Sequence, residues 1–192
     1  GLNNCIHFLS NRNNFNIESI FINKNSQANK HNSISKIIHN YKSFVQYLDA
    51  KAFNDKFQFK HNQGIVIYFT GAIEKEIEKI SFDNRNECII IADQIEDPQN
   101  LGQMLRTCEC AGIKGIILPR HRSVHITNSV LQVSQGAFLY IDIYIENNLV
   151  NTIKYLKKEG FWIIGVENSI EAKKWYQIDY KGKIAIVIGS EG

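Results

Sequence analysis

Five apolar, largely β-branched runs dominate the second half of the chain: "CIIIA" (residues 88–92), "GIILP" (115–119), "FLYIDIYI" (138–145), "FWIIGV" (161–166) and "KIAIVIG" (183–189). A strand with one face in water alternates apolar and polar residues, whereas these runs are apolar at nearly every position. They predict strands buried on both faces, and the helically spaced stretches between them predict the covering layers. The fold class expected is therefore α/β, a mostly parallel sheet covered by helices. Ligands of such sheets sit beyond the carboxyl ends of the strands, which directs attention to the loops after Ala92, Leu118, Val166 and Ile188.

Residues 1–80 have a different texture, rich in Asn, Lys and Phe. Short apolar runs at 17–22 and 64–69 read as strands and residues 34–41 as a helix, which predicts a small α+β domain ahead of the larger one. The polar stretch "KEIEKISFDNRNE" (75–87) supplies the break, with the linker placed at 81–86 and the second domain at 87–192. With 44% hydrophobic residues in 192, there is enough apolar material for real cores. The net charge of +3 permits an anionic partner without requiring one.

The joint after the first of the five runs holds the densest set of special residues. In "DPQNLGQMLRTCECAG" (97–112), Asp97 is placed to cap a helix and Pro98 to occupy its first position, where a missing N–H costs nothing. Leu101, Met104, Leu105, Cys108 and Ala111 make the expected buried stripe, and Gly112 the stop. Asn100, Gly102, Gln103, Arg106 and Thr107 fall off that stripe, with Asn100 and Arg106 expected near the mouth of the sheet. A glycine in the first turn costs about 1 kcal/mol against alanine, so Gly102 marks close approach by another backbone or a ligand. At the far end, "IVIGSEG" (186–192) runs a buried strand into a loop of little side-chain bulk, suited to holding a small ligand on its amides. The glycine patterns of ordinary dinucleotide sites and phosphate loops are missing from the sequence.

Together, "DPQNLGQMLRTCECAG" and "IVIGSEG" resemble the first and second motifs of the SpoU/TrmH family of RNA ribose 2′-O-methyltransferases, within the SPOUT superfamily. The resemblance spans residues 87–192. In the first half, "HNQGIVIYF" (61–69) is similar to a strand of the L30e-like substrate-binding domain carried by members that modify 23S-type rRNA guanosine. The resemblance implies a knotted methyltransferase domain that binds S-adenosylmethionine, acts on RNA and works as a homodimer with its active site near the subunit boundary. It implies catalytic roles for Asn100, Arg106 and Glu191. It also implies a cofactor site formed by Gly189, Ser190, Glu191 and Gly192, with Val166 at the neighbouring strand end. A third motif, Ser-Leu-Asn, is expected in sequence following Gly192, and catalysis is expected to need it.

Guanidinium keeps its proton above about pH 12, so Arg106 is expected to clamp a phosphate or stabilise developing charge rather than to act as the base. Arg120 and Arg122, with His121 and His125 in "LPRHRSVHIT" (118–127), form a basic loop able to touch RNA phosphates; a solvated loop has the same composition. Lys24, with Lys30, Lys36 and Lys42, is a further RNA-binding candidate, although scattered lysines also make an ordinary soluble surface. Trp162 and Trp175 read as core or edge aromatics, while Trp175-Tyr176 beside Lys173 and Lys174 also fits a base-stacking platform.

Neither the four cysteines nor the six histidines show metal-ligand spacing, so no metal is expected. No run reaches the length of a membrane span, and the expected location is the cytoplasm, with an organelle as the alternative. Competing functions are a non-catalytic RNA-binding or ribosome-assembly protein on the same scaffold, a tRNA ribose methyltransferase, and a nucleotide-binding α/β enzyme of another family.

Overall fold

The computed structural model describes residues 1–11, 15–58, 62–77, 80, 82 and 85–189. The chain divides into two compact units, Gly1–Ala72 and Ile73–Gly192.

The first unit contains α1 (Leu2–Ser10), β1 (Asn16–Asn23), α2 (Gln27–Lys30), α3 (Asn32–Ile38), β2 (Val45–Leu48), α4 (Ala50–Lys56) and β3 (Ile65–Thr70). Its sheet has the order β2-β1-β3, with β1 parallel to β2 and antiparallel to β3. Because β1 is central, Ile20, Phe21 and Ile22 are all buried, whichever face they point to. Phe21 packs with Phe53 of α4 and Phe57. The expected strands are β1 and β3; the expected helix is α3 continued by a 3₁₀ turn over His39–Phe44. Sequence periodicity missed α1, β2 and α4, which are short and lack a sustained apolar stripe.

The second unit contains β4 (Glu74–Lys75), β5 (Glu87–Ala92), α5 (Pro98–Cys110), β6 (Gly115–Pro119), α6 (Asn128–Val133), β7 (Asp142–Glu146), α7 (Leu149–Lys158), β8 (Trp162–Val166) and β9 (Lys183–Ile188). Its six strands lie in the order β4-β7-β6-β5-β9-β8, and every pairing is parallel. One face buries Ile89, Ile91, Ile117, Tyr144 and Ala185 together with Leu156 of α7 and Phe161. Strand alternation sends Ile90, Ile116, Leu118, Ile143 and Ile145 to the opposite face, where α5 packs against β6 and α6. This is the two-sided cover that continuous apolar strands require.

Two expectations are corrected here. The boundary falls at 72/73 rather than at 80. β4 joins the second sheet beside β7, and Ile77 and Ile80 enter its core, so residues 74–80 belong to the larger unit. The run "FLYIDIYI" is not one strand: Ala137–Leu139 forms a 3₁₀ turn and β7 starts at Asp142. Phe138, Leu139 and Ile141 are buried there, and burial without the period-2 signal of an exposed face does not separate turn from strand.

Helix α5 is built as its sequence requires. The Asp97 carboxylate accepts a hydrogen bond from the Gln99 amide at 2.8 Å, and Pro98 takes the first helical position. Leu101, Leu105 and Cys108 are buried, each leucine contributing about 2 kcal/mol by leaving water, while Met104 is half-buried and Ala111 exposed. At the far end Gly112 has φ +69, its amide bonds the Glu109 carbonyl at 3.0 Å and the Ile113 amide bonds the Cys108 carbonyl at 2.9 Å. That pair of bonds satisfies the last carbonyls through a left-handed residue, which glycine adopts without strain.

Candidate active site

The order in which strands are added to the sheet reverses between β5 and β9, while all stay parallel. From β5 the chain moves through β6 to β7 on one side; it then crosses to β8 at the far edge and returns as β9 to the other side of β5. A crevice for a ligand opens beyond the carboxyl ends at such a reversal.

The two sequence motifs meet there. Ala92 is in register with Ile188, and Ile188 with Val166, so the ends of β5, β9 and β8 lie side by side. The Asp93 amide then donates to the Ile188 carbonyl at 2.8 Å, joining the first residue of one loop to the last strand residue before the other. Gly189 follows, exposed, and a Cβ added to it would meet nothing within 4 Å among the described residues. Val166 is 60% exposed and Ile188 half-buried. The edge thus presents an apolar lip, open backbone and room, which suits a flat heterocycle and a small polar tail. Ser190, Glu191 and Gly192 lie outside the described residues.

The loop between β5 and α5 is held from below. Ile95 is 5% exposed, and its carbonyl accepts the Val124 amide at 2.8 Å and the Ser123 hydroxyl at 3.0 Å. The loop after β6 is thereby stitched to the loop after β5. Gln94 (φ 56) and Arg122 (φ 58) both take the left-handed conformation, a cost of about 1 kcal/mol each that these anchors offset. Arg120 stands at the carboxyl end of β6: its amide donates to the Glu146 carbonyl at 2.9 Å and its Nε to the Asn147 side chain at 2.8 Å. Arg120, His121 and Arg122 are exposed along the same carboxyl edge. Lys24, exposed just after β1, belongs to the first unit.

Asn100 is half-buried in the first turn of α5, at the edge, whereas Arg106 is exposed further along the helix. Six residues separate them, about 9 Å along the axis and about 240° around it. The two therefore leave α5 in different directions, Asn100 half-buried and Arg106 exposed. Gly102 is also explained. A Cβ there would stand 2.5 Å from the Val133 Cβ and 3.1 Å from the Val130 carbonyl, so the glycine admits α6, not a ligand.

Charged and thiol groups with strong local partners lie elsewhere. The buried Glu87 pairs with Lys114 at 3.5 Å at the amino end of β5. Lys75 pairs with Asp142, which also accepts from the Tyr144 hydroxyl at 3.0 Å at the amino end of β7; burial, then Asp142, raises the Tyr144 pKa. Burial pushes the Cys108 thiol up to about 11, with Cys88 adding to it, and Cys88 is raised by burial as well. Neither offers a thiolate near neutrality. Among the described residues no group of three His, Cys, Asp or Glu is arranged to hold a metal ion, and no helix is long and apolar enough to cross a membrane.

Known proteins resemble this chain in sequence and fold. A putative TrmH family tRNA/rRNA methyltransferase of Staphylococcus saprophyticus subsp. saprophyticus is 32% identical over 180 residues, covering 92% of this chain and 72% of its own. The 23S rRNA (guanosine-2′-O-)-methyltransferase RlmB of Shewanella oneidensis is 31% identical over 172 residues, covering 86% and 70%. An rRNA methyltransferase structure from Sinorhizobium meliloti superposes with a TM-score of 0.76 at 19% identity, covering 97% of this chain and 68% of that one, which shows a common fold. The SpoU rRNA Methylase family matches residues 87–192, from the buried start of β5 to the glycines after β9. With both motifs coming to one sheet edge and that family matching the second unit from β5 onward, the chain belongs to the SpoU rRNA methylase family.

Proposed function

We propose that this chain transfers a methyl group from S-adenosylmethionine to a ribose 2′-hydroxyl of large-subunit, 23S-type rRNA, acting as a homodimer. The observation that carries the reading is the Asp93–Ile188 hydrogen bond of 2.8 Å, which joins the two motif loops across the reversal of strand order. Family membership supports the reaction and the cofactor. The likeness to the Shewanella enzyme supports rRNA, and the α+β first unit fits the L30e-like substrate-binding role.

When bound, the cofactor supplies an electrophilic sulfonium methyl. Val166 and Ile188 would give an apolar wall for its adenine, and Gly189 leaves its backbone accessible because no side chain among the described residues stands over it. Ser190, Glu191 and Gly192 complete the loop in this reading. Asn100, at the same edge, supplies a neutral hydrogen-bonding group to orient the ribose. Arg106 offers a planar fork for an RNA phosphate and stays charged at every working pH. Positioning of the hydroxyl in line with the methyl supplies much of the rate, as in other displacements from near-attack geometry. The different directions of Asn100 and Arg106 around α5 fit a homodimer, in which Arg106 of one copy serves the site of the other.

Incubation of the protein, carried through the Ser-Leu-Asn motif expected after Gly192, with radiolabelled S-adenosylmethionine and large-subunit rRNA is expected to place label on ribose, making the adjacent phosphodiester resistant to alkali. Label on a base, or RNA bound without label, contradicts the reading; the second result favours a non-catalytic RNA-binding protein. A parallel reaction with tRNA decides the substrate, and label confined to tRNA replaces rRNA with the tRNA alternative.

A further inference from the structure

Between β8 and β9, residues 167–182 leave from Val166 at the site edge and carry a group of aromatic side chains that the fold does not bury. Trp175 is 77% exposed, Tyr176 60% and Tyr180 45%. Aromatic residues of this size normally remove much of their surface from water, and a soluble protein that leaves several together uses them for contact.

These rings are exposed yet held. Trp175–Gln177 forms a 3₁₀ turn closed at both ends: the Gln177 amide bonds the Lys174 carbonyl at 2.8 Å and the Lys174 amide bonds the Gln177 side chain at 3.0 Å. The Tyr180 hydroxyl donates to the Trp175 carbonyl at 2.9 Å, fixing the turn from the other side. Trp175 and Tyr176 meet edge to face, centroids 5.9 Å apart and planes at 82°, while the Lys174 ammonium stands 5.9 Å from the Tyr176 centroid. The contact is T-shaped, and with Trp175 77% exposed most of the indole surface remains in solvent. Lys173, Lys174 and Lys181 are balanced in this segment by Glu167, Glu171 and Asp179, and of these Lys173 and Lys174 directly precede the indole in sequence.

We propose that Trp175, braced by Tyr176, is a stacking platform for an unpaired base of the RNA substrate, with Lys173 and Lys174 beside its phosphates. This rests on the reading that the substrate is RNA. A flat, preorganised indole face stacks on any base at little ordering cost, and adjacent ammonium groups match the backbone charge. Those two features together favour a nucleic acid strand over an apolar protein partner.

The chain has two tryptophans, so Trp162→Phe leaves Trp175 as the sole indole reporter. A short single-stranded oligoadenylate is expected to quench that emission, and a duplex of the same length is not. Trp175→Ala should weaken oligoadenylate binding about tenfold and Trp175→Phe much less, both leaving calorimetric affinity for S-adenosylmethionine unchanged. Unaltered Trp175 emission on adding oligoadenylate, or equal affinity in Trp175→Ala and the parent chain, overturns the platform. Failure of the methyltransferase reading looks different: no S-adenosylmethionine binding or methyl transfer by the parent chain, with the quenching intact.

Discussion

Arg106→Lys is expected to lower the turnover of RNA methylation about a hundredfold while leaving the fold and S-adenosylmethionine affinity as they are. Arg106 is exposed on the third turn of α5 and outside the buried stripe of Leu101, Leu105 and Cys108, so stability should move by less than about 0.5 kcal/mol. Lysine keeps the charge but loses the planar, two-pronged donor that holds a phosphate in one orientation. Losing one aligned charge-stabilising group at a reacting centre costs on the order of a hundredfold in rate. Single-turnover kinetics with saturating cofactor measure it. Unimpaired turnover in Arg106→Lys would remove Arg106 from the chemistry and reduce its role to general attraction.

Gly102→Val is expected to destabilise the second unit by about 3 kcal/mol, measured by denaturant unfolding. Even Gly102→Ala is expected to cost about 1–2 kcal/mol, although alanine in an open helix would be favoured by about 1 kcal/mol. The reason is the separation of 2.5 Å between a built Cβ and the Cβ of Val133, and of 3.1 Å from the Val130 carbonyl. Neither of those atoms is the free end of a flexible side chain, so α5 and α6 must part. Val133→Ala in the same chain should recover at least half of the loss from Gly102→Ala, a coupling that only direct contact produces. A stabilised Gly102→Ala would mean that the close packing of α5 on α6 is wrong.

The legible parts of this fold were those with local causes. Asp97 and Pro98 announce the start of α5 and Gly112 its end, because capping and left-handed closure depend on residues within one turn. Strands β5 and β6 were legible because burial on both faces forces unbroken apolar runs; β8 and β9 carry the same kind of run, although β8 is an edge strand with Trp162 74% and Val166 60% exposed. β4 was not, since its two residues, Glu74 and Lys75, are polar and owe their strand conformation to β7. Ile77 and Ile80, three apart in the polar stretch, were the overlooked sign that this segment enters a core.

The candidate site divides in the same way. Gly189 and Asn100 were found at the edge where the strand pattern put them, but their union depends on the Ala92–Ile188 register, which no local pattern contains. Gly102 was correctly marked as a place of close approach, and only the neighbouring helix could say that the visitor is α6. The separation of Asn100 and Arg106 was within reach of the sequence, because six residues of an α-helix never bring two side chains to one face. Ile95, the buried anchor whose carbonyl ties the loop after β6 to the loop after β5, left no signal beyond one apolar residue in a polar loop.

Amide NMR during titration with S-adenosylmethionine tests the location of the cofactor site most directly. The largest shifts are expected at Asp93, Gln94, Val166, Ile188 and Gly189, around the joined carboxyl ends of β5, β9 and β8. Shifts centred instead on Glu87, Lys114 and Asp142 at the opposite ends of the strands, or a spectrum unchanged at saturating cofactor, would contradict the account.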